Sequence, residues 1–496
     1  MKQKHPLGAT LTKIMLPMNN IQKLEYNKKI NIDFSWWEIT WKAWLLSIHE
    51  FCNKLSVQEL IEKHLPEKRK WKFKHTKPEI IYQEMIRIIN WDTSNNNYSY
   101  NKKDPAFLEI HNWKIASAST CSRLDNTLNY SDESNLRKVQ KEIEKYNINY
   151  SETKEVIIDL DTTNDPCSKN LEWSDYIPHY RLNWYSPLFA FNGLNWDLIS
   201  WILKPWRYHC STFSYSFTKN IINFYKENWV ENIIFRWDSA FPKEDIIWLC
   251  ELEKAYYFFK LKWYSSLVKM VVWKWVRWRS VFLELEYQAN SWSHKRRAVC
   301  CIDWKARETE QSKKDRKKNP KKKKVKQMWL FPIYSFVVTN NMKLSLEEVF
   351  SMYNGRATIE KSIEEAKNGF KSDHLSNSDF KVNASKFQIH LLAIQLTQLF
   401  RKFTLAKKSK QVEVEENKKY IDSKNENKKF KKLKVWRKCI KLPSITTLRK
   451  QIFFIPAKVV RTWRKIFYKC ASSFPFADKF IKVLAIILKL PKLRVE

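Results

Sequence analysis

The sequence predicts an α/β chain: a mixed sheet with helices, interrupted by a β-rich insertion, between a helical N-terminal region and a basic C-terminal one. Three observations lead there. Short buried-strand runs cluster between Glu155 and Phe241, and a capped amphipathic helix is written into Ser345 to Phe370. Between them, Lys262 to Gln327 holds another strand pattern, SVFLELEY at Ser280 to Tyr287. The expected divisions are an N-terminal helical region at 1–150, a core at 151–261, the insertion at 262–327, the rest of the core at 328–405 and a basic end at 406–496.

In the first region, Leu55 to His64 and Pro78 to Ile89 read as helices. Ser117 to Leu128 places small residues before a short basic helix, a pattern shared by helix-turn-helix readers and plain helical hairpins. Lys138 to Lys145 is charged and reads as a helical linker.

At Glu155 the pattern turns to strand. Val156 to Thr163 is a buried run in which period two puts Asp159 and Asp161 on one face, Asp161 nearer the carboxyl end. Carboxylates among isoleucines are costly to bury unless paired or metal-bound; one of them capping a turn is the alternative. Tyr185 to Phe191 and Asp197 to Leu203 read as strands joined through Asn192-Gly193, with Pro205-Trp206 as the exit turn. A helix is expected from Phe213 to Asn228. Asn232 to Arg236 is a short strand delivering Trp237-Asp238-Ser239-Ala240-Phe241, where Asp238 alternatively caps a helix starting near Pro242.

The insertion carries a basic tract, Lys313 to Lys326, densest at Lys321 to Lys324, and Trp329 to Val338 returns as a strand. Ser345 and Glu348 then form a capping box, and Asn368-Gly369 reads as a left-handed helix stop. Arg356, Glu360 and Lys367 share one helical face, Val349, Ile359 and Ile363 the apolar one. Tyr353 lies one heptad before Glu360, with Asn354-Gly355 as a break between them. Asn383 to Leu399 is a further helix, Lys407 to Lys434 is lysine-rich and low in complexity, and Ile455 to Leu490 alternates basic and apolar residues.

Composition narrows the partners. Lys plus Arg number 90 against 52 acidic residues in 496, a formal charge of +38, which favours an anionic polymer. No apolar run approaches the roughly 18 residues a membrane span needs, and Met1 to Asn20 lacks a signal peptide's apolar core. Nine cysteines without a CxxC pair fit a reducing cytoplasm without a disulfide framework.

One imbalance stands apart. There are 4 glycines and 24 tryptophans, where ordinary usage would give roughly 35 glycines. Three glycines follow asparagine (Gly193, Gly355, Gly369), as do five tryptophans: Trp91, Trp113, Trp184, Trp196 and Trp229. Asn-Gly is a turn dipeptide because both residues tolerate positive φ, and Asn-Trp has no such rationale. The pattern fits a gene that uses UGA for glycine, read in a code where UGA means tryptophan. Exposed turns are then expected at Trp184, Trp196, Trp206 and Trp463, and an indole at position 237 would crowd Asp238.

Tyr353, Arg356, Glu360 and Lys367 match in type and spacing the Y-R-E-K signature of DDE transposases from bacterial insertion sequences, and this chain resembles that family. With tryptophan read as glycine, Asp33-Phe34-Ser35-Trp36-Trp37 is similar to the D-F-S-G-G opening of the insertion-sequence group numbered thirteen-eighty. Asp161 sits in a D-x-T first motif, with Asp159 the fallback, and Trp237 to Phe241 resembles the second, G-D-S-A-F. The resemblance implies an RNase H-like sheet and an enzyme that cleaves DNA and transfers strands at element ends. It implies Asp161, Asp238 and Glu360 as catalytic ligands of two Mg²⁺ (or Mn²⁺) ions, with Tyr353, Arg356 and Lys367 holding DNA. It further implies double-stranded DNA partners (terminal inverted repeats and target), a homodimer on DNA, no membrane, and the bacterial cytoplasm at the nucleoid. The alternatives are an inactive DNA-binding derivative and an RNase H-like nuclease without strand transfer.

Overall fold

Eight strands form one mixed sheet in this computed structural model, which describes residues 22–23, 31–32, 38–69, 73–92, 98–167, 171–177, 182–205, 211–272, 281–308, 326–375, 377–406, 413–416, 433–436 and 442–495. The strands are β1 (Glu155–Thr162), β2 (Leu188–Asn192), β3 (Leu198–Ile202), β4 (Asn232–Trp237), β5 (Tyr256–Leu261), β6 (Val281–Tyr287), β7 (Arg296–Glu308) and β8 (Lys326–Thr339). Their order is β6-β7-β8-β5-β4-β1-β2-β3. β1, β4 and β5 run parallel, and every other pairing is antiparallel.

Being central, β1 is buried on both faces. Val156, Ile158 and Leu160 join Phe235 and Phe259 on one side; Ile157 joins Ile234 and Phe258 on the other, and alternation puts Asp159 and Asp161 with Ile157. The helices include α1 (Leu45–Lys54), α2 (Val57–His64), α3 (Lys77–Ile89), α4 (Tyr130–Tyr150), α5 (Ser214–Glu227), α6 (Glu244–Leu252), α7 (Leu346–Asn354), α8 (Ile359–Phe370), α9 (Phe380–Leu405) and α10 (Ala477–Lys489). α5 and α6 cover the first side through Phe217, Ile221, Ile246 and Leu249. α7 covers the second side through Val349 and Phe350. At the β2–β3 end, Phe387 of α9 packs its ring against Phe189 and Trp201, with centroids 6.0 and 4.8 Å away.

Several sequence expectations change here. The insertion strands β6 and β7 join the main sheet, because β8 pairs with β5 on one edge and β7 on the other. Each addition covers an edge whose backbone groups would otherwise stand unpaired. The charged stretch at Lys138 is no linker but the middle of α4, which buries Leu136, Val139 and Ile143. Gly369 does not stop a helix: α8 runs through it, and Lys371 takes the left-handed turn at φ 50°. Glycine is needed there for room, since a Cβ would meet Ile445 Cγ2 at 2.8 Å.

The C-terminal residues close back on the beginning. Strands Ala457–Arg461 and Ile466–Cys470 form a hairpin that adds to Ile39–Thr40. Leu493 donates its amide to the Lys54 carbonyl at 2.8 Å and accepts the Ser56 hydroxyl at 2.7 Å. One apolar cluster runs from Ala43 through α4, α9 and α8 to Leu490. No helix among the described residues is long and apolar enough to cross a membrane. The Asp33-to-Trp37 motif, the tract at Lys321 to Lys324, Trp206 and most of the lysine-rich stretch after 406 lie outside the described residues.

Candidate active site at the carboxyl ends of β1 and β4

Asp161 is the penultimate residue of β1, and its side chain is 22% exposed. One oxygen accepts the Thr162 amide at 2.9 Å, and the other meets Arg356 Nη2 at 3.0 Å. Burial pushes its pKa up; the Arg356 guanidinium and the Thr162 amide oppose this, while Asp238 and Glu360 push it further up.

Asp238 follows β4 directly, and its carboxylate accepts the Ser239 amide at 2.7 Å. It caps no helix: α6 begins at Glu244 with Lys243 in the N-cap position. Glu360 is exposed in the first turn of α8, where the helix dipole favours a carboxylate. Among the described residues no three acidic, histidine or cysteine side chains stand close enough to hold a metal ion as arranged. Asp161 is matched instead by Arg356.

The signature segment is built as its capping box dictates. The Ser345 hydroxyl accepts the Glu348 amide at 3.3 Å, and Glu348 accepts the Ser345 amide at 2.8 Å. α7 ends at Asn354, residues Gly355–Thr358 form a 3₁₀ turn, and α8 starts at Ile359. The turn lowers Arg356 onto β1, where it is 8% exposed and also reaches the Leu160 carbonyl at 3.4 Å. Burial pushes the Tyr353 hydroxyl up to about 12; Arg356 opposes, and Asp238, Asp161 and Asp159 add to the rise. It is therefore a phenol at neutral pH, able to donate. Lys367 turns toward the chain beyond β1, donating to the Asn164 carbonyl at 2.6 Å and pairing with Asp165 at 3.1 Å. Burial pushes Asp165 up to about 7 although Lys367 opposes. Asp165 was not singled out from the sequence; its signal was a third aspartate following Asp159 and Asp161.

Asp159, the fallback ligand, is 1% exposed and held in a fork by Arg236, at 2.6 Å from Nε and 2.5 Å from Nη2. Arg236 too went unremarked, though a cation inside a buried strand requires a partner. The Trp237 ring does not crowd Asp238. It lies in the cluster on the opposite sheet face, stacked on Phe259 at 4.7 Å. Elsewhere, a cleft of about 670 Å³ between the N-terminal helices is lined by Lys68, Arg69, Lys74, Lys102 and Arg123.

Asp161 and Asp238 thus stand at the ends of neighbouring parallel strands, and α8, which carries Glu360, packs against β1. Residues 22–418, most of the chain, match the family model described as transposase DDE domain, group 1. The chain belongs to that family. Among solved structures it resembles the piggyBac transposase synaptic complex with hairpin DNA, determined by cryo-EM, at 9% identity and a TM-score of 0.38, covering 72% of this chain and 74% of that one. No curated protein matches the sequence.

Proposed function

We propose that this transposase-family protein is a metal-dependent enzyme that cleaves DNA at the ends of an insertion sequence and joins those ends to target DNA. The observation that carries the reading is the placement of Asp161 and Asp238 at the carboxyl ends of the neighbouring parallel strands β1 and β4, with α8, which carries Glu360, packed against β1. The strand order β3-β2-β1-β4-β5, with β1, β4 and β5 parallel, supports an RNase H-like core. The charge of +38 and the cationic N-terminal cleft support duplex DNA as the partner, both element ends and target. A homodimer on DNA and a place at the bacterial nucleoid, in the cytoplasm, complete the proposal.

The donor set fits Mg²⁺ or Mn²⁺, since all three side chains offer hard oxygens. Arg356 offsets only part of the acidic charge there: Asp238 and Glu360 still act to raise the pKa of Asp161, a repulsion that divalent cations would relieve. Asp161, Asp238 and Glu360 would hold two such ions, which when bound supply Lewis acidity and a water of lowered pKa. Arg356 balances Asp161 and reaches the β1 backbone, while the Tyr353 hydroxyl offers a donor beside the acids. Both would hold a phosphodiester near the carboxylates, arginine through its fork. Lys367, paired with Asp165, brings its charge to the same strand end.

The test incubates the full chain with a duplex carrying the inverted repeats that flank its gene, with Mg²⁺ or Mn²⁺. Cut ends and joined products are expected, both lost on chelation. Cutting without joining would leave a nuclease. Binding without any cutting, in either metal, would leave only the DNA-binding derivative.

A further inference from the structure

Two residues before Asp161 and Asp238 on the same strands lies a buried ion pair. Asp159 and Arg236 are register partners on β1 and β4, each two residues before a carboxylate of the site. Arg236 is 4% exposed. Two of its nitrogens hold Asp159, and the third, Nη1, donates to the Met352 carbonyl in the last turn of α7 at 2.9 Å. Two of the chain's 4 glycines close over this guanidinium. A Cβ on Gly193, in the β2–β3 turn, or on Gly355, at the start of the 3₁₀ turn, would run into Arg236. Gly355 has ordinary helical backbone angles, so its demand is for space alone. Stability does not explain such a site, since a buried ion pair seldom outperforms apolar residues of the same volume. The bond to Met352 is what an apolar pair could not supply.

We propose that Arg236 is a positioning residue: tied to Asp159 and to the Met352 carbonyl, it sets the Glu360 helix against the strands that bear Asp161 and Asp238. The inference rests on those three residues being the acid triad. Its test compares the full-length double variant Asp159→Leu/Arg236→Met with Arg236→Lys and Gly355→Ala. The readouts are thermal melting, DNA affinity, Mn²⁺ affinity without DNA, and single-turnover cleavage at saturating DNA. The double variant leaves no buried charge unpaired, so its melting and DNA affinity should stay close to wild type. Its cleavage rate should fall by about 10²-fold, the scale of a misplacement near 1 Å, and Mn²⁺ binding should weaken. Arg236→Lys keeps the charge but cannot reach both partners, and Gly355→Ala displaces the fork, so both should move the same way. They decide the matter if the double variant does not fold. Wild-type cleavage and Mn²⁺ affinity in folded variants would overturn the proposal. Failure of the triad reading looks different: Asp161→Asn and Asp238→Asn would then leave cleavage and Mn²⁺ affinity intact, and the positioning role would fall with it.

A separate observation concerns the tryptophans. Among the described residues, 12 non-glycine positions have positive φ, and five of them are tryptophan: Trp91, Trp113, Trp173, Trp196 and Trp229, at 60–65°. For bulky side chains that conformation is a genuine outlier. Trp91 and Trp229 each follow an asparagine C-cap, and the next amide bonds back to the helix (Asp92 to Arg87, Val230 to Tyr225), the arrangement glycine usually ends. Their rings are 52% and 85% exposed, and Trp463, in the turn of the C-terminal hairpin, is 94% exposed. Trp184 departs from the pattern, lying in the strand Leu182–Tyr185. We infer that the organism inserts glycine at these turn positions, its UGA codons having been read here as tryptophan. Sequencing the gene should show TGA at Trp91, Trp113, Trp173, Trp196 and Trp229 and ordinary glycine codons at Gly193, Gly355 and Gly369. Mass spectrometry of the native protein should find glycine at those five sites. TGG codons, or tryptophan in the native peptides, would overturn the inference.

Discussion

Asp238→Asn is expected to lower DNA cleavage by about three orders of magnitude while leaving DNA affinity unchanged or slightly tighter. The rate follows from losing a ligand whose metal contributes several kcal/mol of transition-state stabilisation, with each ~1.4 kcal/mol worth tenfold. The affinity follows from charge: the variant removes an anion from a surface that must accept phosphates. Asp161→Asn should behave alike, with one difference. Arg356 pairs with Asp161 at 3.0 Å, so that variant also frees a guanidinium to hold DNA more tightly. Glu360→Gln, on an exposed turn, should lose cleavage without loss of stability. Single-turnover cleavage and salt-controlled binding isotherms separate the effects. Variants that cut at wild-type rates would dismiss the site; variants that cut poorly because they fail to bind would reassign these residues to DNA contact.

The second large effect is on stability and lies far from that corner. Glu144, on α4, is buried where the Asn147 amide reaches its two oxygens at 3.2 and 3.1 Å and the Tyr225 hydroxyl at 3.2 Å. Burial, then Asp197, pushes it up to about 7, although Lys402 opposes. The folded protein therefore keeps this proton up to about pH 7, whereas an ordinary glutamate releases it near 4.5. Between those values the folded state binds more protons, so stability is greatest below the window and falls as pH rises through it. The gap corresponds to ~3 kcal/mol above pH 7. Glu144→Gln mimics the protonated form. It should match wild type near pH 4 and exceed it by up to ~3 kcal/mol at pH 8, read from denaturant midpoints at both pH values. An equal midpoint at pH 8 would mean that Glu144 is ionised at little cost, held by Lys402.

What the sequence disclosed and what it hid divide along a physical line. β1 and the α7–α8 segment were legible because their signals are local: period two in Val156 to Asp161, and the Ser345–Glu348 reciprocal bonds. The pairing of Asp159 with Arg236 was not, since it depends on the register of two strands brought together across 77 positions. Lys367 and Asn164 meet across 203. α4 was misread because lysines and glutamates crowd its outer face and mask the stripe Leu136, Val139, Ile143. The insertion strands were visible as strands, but only the open edge of β5 decides where they dock.

The closure of residues 477–495 onto the first helices also sets a schedule for synthesis. α1 packs against α10, Lys54 and Ser56 bond to Leu493, and Tyr146 donates to the Pro491 carbonyl at 2.8 Å. At roughly 5–20 residues per second, α1 waits roughly 20–90 s for the partners that seal it. Glu360 leaves the ribosome well before that seal exists. During that interval the nascent N-terminal helices expose the apolar faces that α9 and α10 later cover.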